Sequence, residues 1–121
     1  MDQVNKVDKK AQMNLMEIVK YQIVTYCYFE DIVISDAAAT CFTQLCIAGK
    51  SDLNQFCKQM SDEGLFASPQ VVRNTITLGE AKNLIIKEGG HKKAVCINPE
   101  LNIQINGNIL LDFKFLCRAY A

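Results

Sequence analysis

The sequence predicts an α+β fold, with helices first and short antiparallel strands after. Three observations carry this. Apolar residues recur at helical spacing from Met13 to Leu84, the period then changes to short β-branched runs, and those runs flank a glycine-bearing tip, Glu88-Gly89-Gly90-His91-Lys92-Lys93. The chain has 121 residues, one domain's worth, enough to bury roughly two-thirds of its unfolded surface around a single core. Half of it is apolar and 21% is charged, which is ordinary for a globular protein and too apolar for a disordered one.

Met13 to Phe29 carries Leu15, Ile18, Val19, Ile23, Tyr26 and Cys27 on a 3.6-residue stripe that favours a helix. Its second half, Tyr21 to Phe29, is rich in aromatic and β-branched residues and is also compatible with a strand. Ile32 to Ile34 predicts a brief extended stretch, ending where Ser35 caps a helix that runs to about Ile47 and stops at a left-handed Gly49. Ser51 or Asp52 caps the next helix, which presents Leu53, Phe56, Cys57 and Met60 at i, i+3, i+4 and i+7 and ends at Gly64.

Ser68-Pro69 is the sharpest boundary, because serine supplies an N-cap acceptor and proline at N1 lacks only a donor that would be unsatisfied anyway. The helix it opens repeats Val72, Ile76 and Gly79 or Glu80; Gly79 is either a weak point, costing about 1 kcal/mol against alanine, or a place of close packing. Leu84 to Lys87 and Ala94 to Ile97 form a two-stranded ribbon around the charged tip, and Asn98-Pro99 stops its second strand. Ile103, Ile105, Asn106-Gly107, then Ile109, Leu111, Phe113 and Phe115 predict a C-terminal hairpin, since Asn-Gly accepts positive φ at both turn positions. The organisation is thus an N-terminal helix and short strand over 1–34, a core over 35–98, and a hairpin arm over 99–121.

Lysine plus arginine, 13, balances aspartate plus glutamate, 13, so no global field drives the chain onto nucleic acid or an anionic membrane. No apolar run reaches the about eighteen residues needed to cross a bilayer, and the polar start resembles no signal peptide. The expectation is an intracellular protein, in the cytoplasm of a host cell or in a virion. The six cysteines, Cys27, Cys41, Cys46, Cys57, Cys96 and Cys117, lie among apolar or aromatic neighbours and read as buried, reduced thiols. The nearest pair, Cys41 and Cys46, has the wrong spacing for zinc, and His91 is the only histidine. Without a phosphate-binding glycine fingerprint, a nucleophile elbow or an isolated carboxylate pair, the sequence predicts no enzyme, no cofactor, no metal and no small-molecule substrate.

Helix, short strand, helix, helix, strand, charged loop, strand is the order of a winged helix-turn-helix. The residues that carry the resemblance are Ser35-Asp36, Ser68-Pro69-Gln70-Val71-Val72-Arg73-Asn74 and Leu84-Ile85-Ile86-Lys87-Glu88-Gly89-Gly90. Over 35–97 the chain resembles small bacterial and phage regulators of the multiple-antibiotic-resistance type, although Leu65-Phe66 after Asp62-Glu63 departs from the small neutral residues usual before the third helix. The resemblance implies a double-stranded DNA reader. Gln70, Arg73, Asn74 and Thr77 would face base edges, and Ser68, His91, Lys92 and Lys93 would face phosphates. Between Ser68 and Asn98, five basic residues stand against two acidic, while between Glu30 and Phe66 six acidic stand against two basic. A monomer neutralising about three phosphates would bind DNA weakly.

Two function classes follow. One is a dimeric DNA-binding regulator with the Met13 to Phe29 helix as dimer element. The other, which neutrality and the aromatic ends favour, is a winged helix used for protein contact or homo-oligomerisation through Tyr26, Tyr28, Phe29, Phe113, Phe115 and Tyr120. In its Asn, Ile and Lys usage, and in Ser68 to Asn74, Asn98 to Leu101 and Gly107 to Leu111, the chain resembles small proteins of tailed phages of gut Bacteroidetes. That resemblance implies a structural or connector subunit of the particle and transfers no site residue.

Overall fold

A computed structural model describes residues 2–7, 14–105 and 113–118. In chain order these form β1 (Asp2–Val7), α1 (Leu15–Phe29), α2 (Asp36–Ala48), β2 (Ser51–Asp52), α3 (Leu53–Asp62), α4 (Pro69–Ala81), β3 (Ile85–Glu88), β4 (Ala94–Ile97) and β5 (Phe113–Arg118). The fold is α+β. The described residues hold four helices, a three-stranded antiparallel sheet ordered β2-β4-β3, and a separate antiparallel ribbon of β1 and β5.

Each helix begins at a side-chain cap. Asn14 Oδ1 accepts the Glu17 N–H at 2.9 Å, Ser35 Oγ that of Ala38 at 3.1 Å, Asp52 Oδ2 that of Gln55 at 3.0 Å, and Ser68 Oγ that of Val71 at 3.3 Å. From those starts the stripes face one core. Val19, Ile23 and Cys27 of α1 meet Cys41, Phe42 and Leu45 of α2, Phe56, Cys57 and Met60 of α3, Val72 and Ile76 of α4, and Leu84, Ile85 and Val95 around the sheet. The helical alternative for Tyr21 to Phe29 therefore prevails, because the 3.6 period buries three positions against α2 and a period of two would not. Among the described residues Thr43 is the one buried polar side chain, and its hydroxyl donates to the Ala39 carbonyl at 2.8 Å.

Gly79 is a place of close packing. A Cβ there would lie 2.8 Å from Ile85 Cδ1 and 2.9 Å from Phe42 Cε1 and Cζ, so glycine lets α4 approach both α2 and β3. The helix still closes its last turn onto this residue, with the Leu84 N–H donating to the Gly79 carbonyl at 2.9 Å, and β3 accordingly starts one residue later than the sequence suggests.

Several expectations are corrected. Ile32 to Ile34 form no strand. Asp31 turns the chain with φ 57°, the Ile32 N–H donates back to the Cys27 carbonyl at 2.8 Å, and Ile32 and Ile34 pack on the core with no neighbouring ladder. The strand that completes the sheet is instead Ser51–Asp52, between α2 and α3, registered Ser51↔Val95 and Asp52↔Ala94 and extended by the Leu53 N–H on the Lys93 carbonyl at 2.6 Å. Gly49 has positive φ but an extended ψ (77°, −157°), because the chain passes straight from α2 into that strand.

The C-terminal hairpin arm is also revised. Residues 102–105 are not a strand, and β5 pairs with β1, from Asp2↔Arg118 to Val7↔Phe113, where the sequence offers no periodic signal over Asp2 to Val7. Asn106-Gly107 lie outside the described residues. Residues 103–105 are held elsewhere: Ile103 packs on the core, and the Gln22 side chain of α1 accepts the Gln104 N–H and donates to the Gln104 carbonyl, both at 2.7 Å.

Candidate functional site

Two surfaces of the molecule carry the residues singled out above. The first is the outer face of α4 with the β3–β4 tip. Gln70, Asn74 and Thr77 are exposed and Arg73 is half-buried. Pro69 and the Ser68 cap set the start of the helix, and the 3.6 period then brings the four onto neighbouring turns.

Their polar groups bond to one another and to the adjoining elements. Gln70 Nε2 donates to Asn74 Oδ1 at 2.8 Å, and the Arg73 guanidinium donates to Asn54 Oδ1 of α3 at 2.7 Å and to Gln70 Oε1 at 3.4 Å. The Thr77 hydroxyl donates to the Arg73 carbonyl at 3.0 Å and accepts from Lys87 Nζ at 3.3 Å. Lys87 lies 3.8 Å from Glu80, and Lys50 lies 2.9 Å from Glu88 at the base of the tip. Lys87 is thereby engaged within the fold, while the net excess from Ser68 to Asn98 is unchanged because Glu80 and Glu88 are already counted in it.

On the tip, His91 and Lys93 are exposed, Lys92 sits in the short 3-10 turn Gly90–Lys92, and His91 adopts φ 59°. The tip and α4 thus bring Ser68, Gln70, Arg73, Asn74, Thr77, His91, Lys92 and Lys93 onto two elements joined by β3. A base or phosphate approaching α4 meets side chains whose hydrogen-bonding capacity is already partly engaged by the Gln70–Asn74 and Arg73–Asn54 bonds.

The second surface is the outside of α1 and the corner into α2. Tyr28 is 77% and Phe29 76% exposed, with their rings edge-to-face at 5.7 Å. Val33 beside them is 85% exposed, and Tyr21 and Val24 are 43% and 45% exposed. Tyr26 is half-buried against the core, Phe113 and Phe115 stand in β5 opposite Val7 and Asn5, and Tyr120 lies outside the described residues. Val24 and Val33 went unremarked in the sequence. The signal for Val24 was present in the second stripe of α1, Tyr21, Val24 and Tyr28 at i, i+3 and i+7, set opposite the buried one.

The cysteines divide. Cys27, Cys41 and Cys57 are buried as expected, but Cys46 and Cys96 are only half-buried and line an open cleft of about 310 Å³ with Leu45, Gly49 and Ile103. Burial pushes the Cys41 thiol up to about 12, with Cys57 adding to the rise. Burial also raises Cys57, against the opposing charges of Arg73 and Lys87, and it raises Cys46. Cys96 is raised by burial and by Glu88, against Lys50. These thiols are protonated at neutral pH and are poor nucleophiles. Among the described residues no three histidine, cysteine or carboxylate side chains converge as a metal would require, and no helix is long and apolar enough to cross a membrane. No protein-family model, curated protein or solved structure matches this chain.

Proposed function

We propose that this chain is a non-enzymatic winged-helix module for protein-protein assembly, serving as a small structural or connector subunit of a phage particle. Connectivity supports the fold assignment: α2-β2-α3-α4-β3-β4 with strand order β2-β4-β3 follows the winged-helix order, and residues 89–93 stand where the wing would be. The particle assignment draws on the compositional resemblance to phage proteins.

The observation that carries the function is the outer face of α1. A helix on the surface of a globular protein normally turns a polar face to water, and one that is apolar on both sides has a second surface to bury. Tyr21, Val24, Tyr28, Phe29 and Val33 supply that surface. Covering a large apolar side chain is worth about 1.5–3 kcal/mol, so a few such anchors suffice for a specific contact.

DNA binding is the second reading. It is favoured by the same connectivity and by the exposed amides of Gln70 and Asn74, with His91 and Lys93 on the tip. Sedimentation over a concentration series, run beside a salt series with duplex DNA, separates the two. Assembly predicts association that survives changing Lys92 and Lys93 to alanine and is lost on changing Tyr28 and Phe29 to glutamate. Tight DNA binding at physiological salt, abolished by the lysine changes and indifferent to the aromatic ones, would overturn it.

A further inference from the structure

Deepening the assembly reading, on which it rests, we propose that the corner between α1 and α2 takes an extended strand of a partner protein, one that alternates apolar residues with lysine or arginine. Residues 31–35 have the alternation of a strand: Asp31, Val33 and Ser35 are exposed, while Ile32 and Ile34 between them pack on the core. They belong to neither sheet. The Ile32 N–H donates to the Cys27 carbonyl, and the Ser35 carbonyl accepts from the Ala39 N–H. Among the described residues, no hydrogen bond engages the N–H groups of Val33 and Ile34 or the carbonyls of Ile32, Val33 and Ile34.

The neighbouring side chains set what such a strand carries. Val33 is 85% exposed beside Tyr28 and Phe29, and an open cleft of about 390 Å³ runs between Cys27, Tyr28, Phe29, Asp31, Ile32 and Val33. Apolar side chains on one face of an added strand cover these residues. The corner is also acidic, with three acidic residues and no basic one from Tyr28 to Asp36. Asp36 is held by Lys20 at 2.6 Å, whereas Glu30 and Asp31 are exposed and in no ion pair among the described residues. Burial raises the Cys27 thiol and Lys82 opposes the rise, so one cation is near and the two unpaired acids outnumber it. Cations in the partner strand complement that excess, and phosphates are repelled by it.

Backbone chemistry favours a strand over a helix as the occupant. A helix satisfies its own N–H and C=O groups and leaves those of Val33 and Ile34 to water. An extended partner pairs with them, its main chain giving affinity and its alternate side chains giving choice of sequence. The β-branched residues of 32–34 suit that pairing.

Binding of short peptides to the full-length chain, followed by fluorescence anisotropy and hydrogen exchange, tests this. A peptide alternating valine with lysine should bind saturably and slow exchange at the Val33 or Ile34 amide. Its counterpart with glutamate in place of lysine should bind about tenfold more weakly. Two versions N-methylated on alternate amides, one for each edge of the peptide, should differ, one losing binding and the other keeping it. Glu30→Gln with Asp31→Asn, asparagine tolerating the positive φ at that position, should narrow the preference for lysine. Val33→Ser should weaken the valine–lysine peptide while circular dichroism and thermal melting show both variants folded.

Equal binding of the two N-methylated versions, or of the lysine and glutamate peptides, overturns the proposal. So does a valine–lysine peptide that does not bind. If sedimentation then still shows association that is lost on changing Tyr28 and Phe29, the surface belongs to a second copy of the chain and the assembly reading stands. A chain that neither binds the peptide nor associates overturns both readings.

Discussion

At Gly79, local and tertiary preferences oppose each other. Helix propensity alone favours alanine over glycine by about 1 kcal/mol, but the new Cβ would press on Phe42, a fully buried ring, and on Ile85. Overpacking of this kind costs about 1–3 kcal/mol. Gly79→Ala is therefore expected to lower the urea midpoint, and a rise would mean that the Ile85 tip and the Phe42 ring yield freely. Cys41 links the same core to pH. Its thiol has an ordinary value of 9.0 and is pushed up to about 12 in the fold. The folded chain then keeps a proton that the unfolded chain gives up, so the stabilisation is complete below pH 9 and is lost progressively as pH rises from there toward 12. Cys27, Cys46, Cys57 and Cys96 are raised in the same direction. Unfolding free energy measured from pH 7 to 10.5 should decline above about 9, and Cys41→Ala should make that decline shallower; an unchanged slope would count against the buried-thiol account.

At the scale of elements, short polar contacts set where each one starts and what it holds. Ser68 and Pro69 define the first turn of α4, and Ser68→Ala is expected to cost about 1 kcal/mol, read as a shift in denaturation midpoint. An unshifted midpoint would mean that Pro69 alone is enough to start the helix. The connection after β4 depends on Gln22, whose amide pairs with both backbone groups of Gln104 much as a neighbouring strand would. Gln22→Ala removes both of these hydrogen bonds, each worth about 1 kcal/mol net, together with one from Nε2 to the Ile18 carbonyl, and is expected to speed hydrogen exchange at the Gln104 amide while leaving the amides of α4 protected. Equal acceleration in both places would indicate global destabilisation instead.

Across the whole molecule, zero net charge conceals an uneven distribution. The cations gathered from Ser68 to Asn98 are partly consumed within the fold, Lys87 by Glu80 and Thr77, and Arg73 by Asn54 and Gln70. Changing Lys92 and Lys93 to alanine is expected to leave the association state unchanged. Under the DNA reading, the same pair of changes would lower affinity for every duplex and flatten the logarithmic salt slope by about two. One titration series in rising salt, with and without the two lysines, therefore weighs the readings against each other.

The sequence by itself determined the parts of this protein that depend on a few neighbouring residues. These are the caps at Ser35 and Ser68, a cap at Ser51 or Asp52, the buried stripes of α1, α3 and α4, and the β3–β4 hairpin with its exposed tip. A cap is one side chain satisfying an N–H three residues on, and a stripe is a period, so both are written locally. Of the candidate site, the position of α4 and of Tyr28 and Phe29 at the end of α1 was legible in the same way. Only the tertiary structure decided which edges pair and which charges remain free. Ser51–Asp52 becomes a strand because β4 leaves an edge beside it, not because two polar residues prefer to be extended. The Arg73–Asn54 bond joins residues nineteen apart, and β1 meets β5 from the opposite end of the chain. Such partnerships are set by what packing brings within reach, and a local pattern carries no information about its distant neighbour.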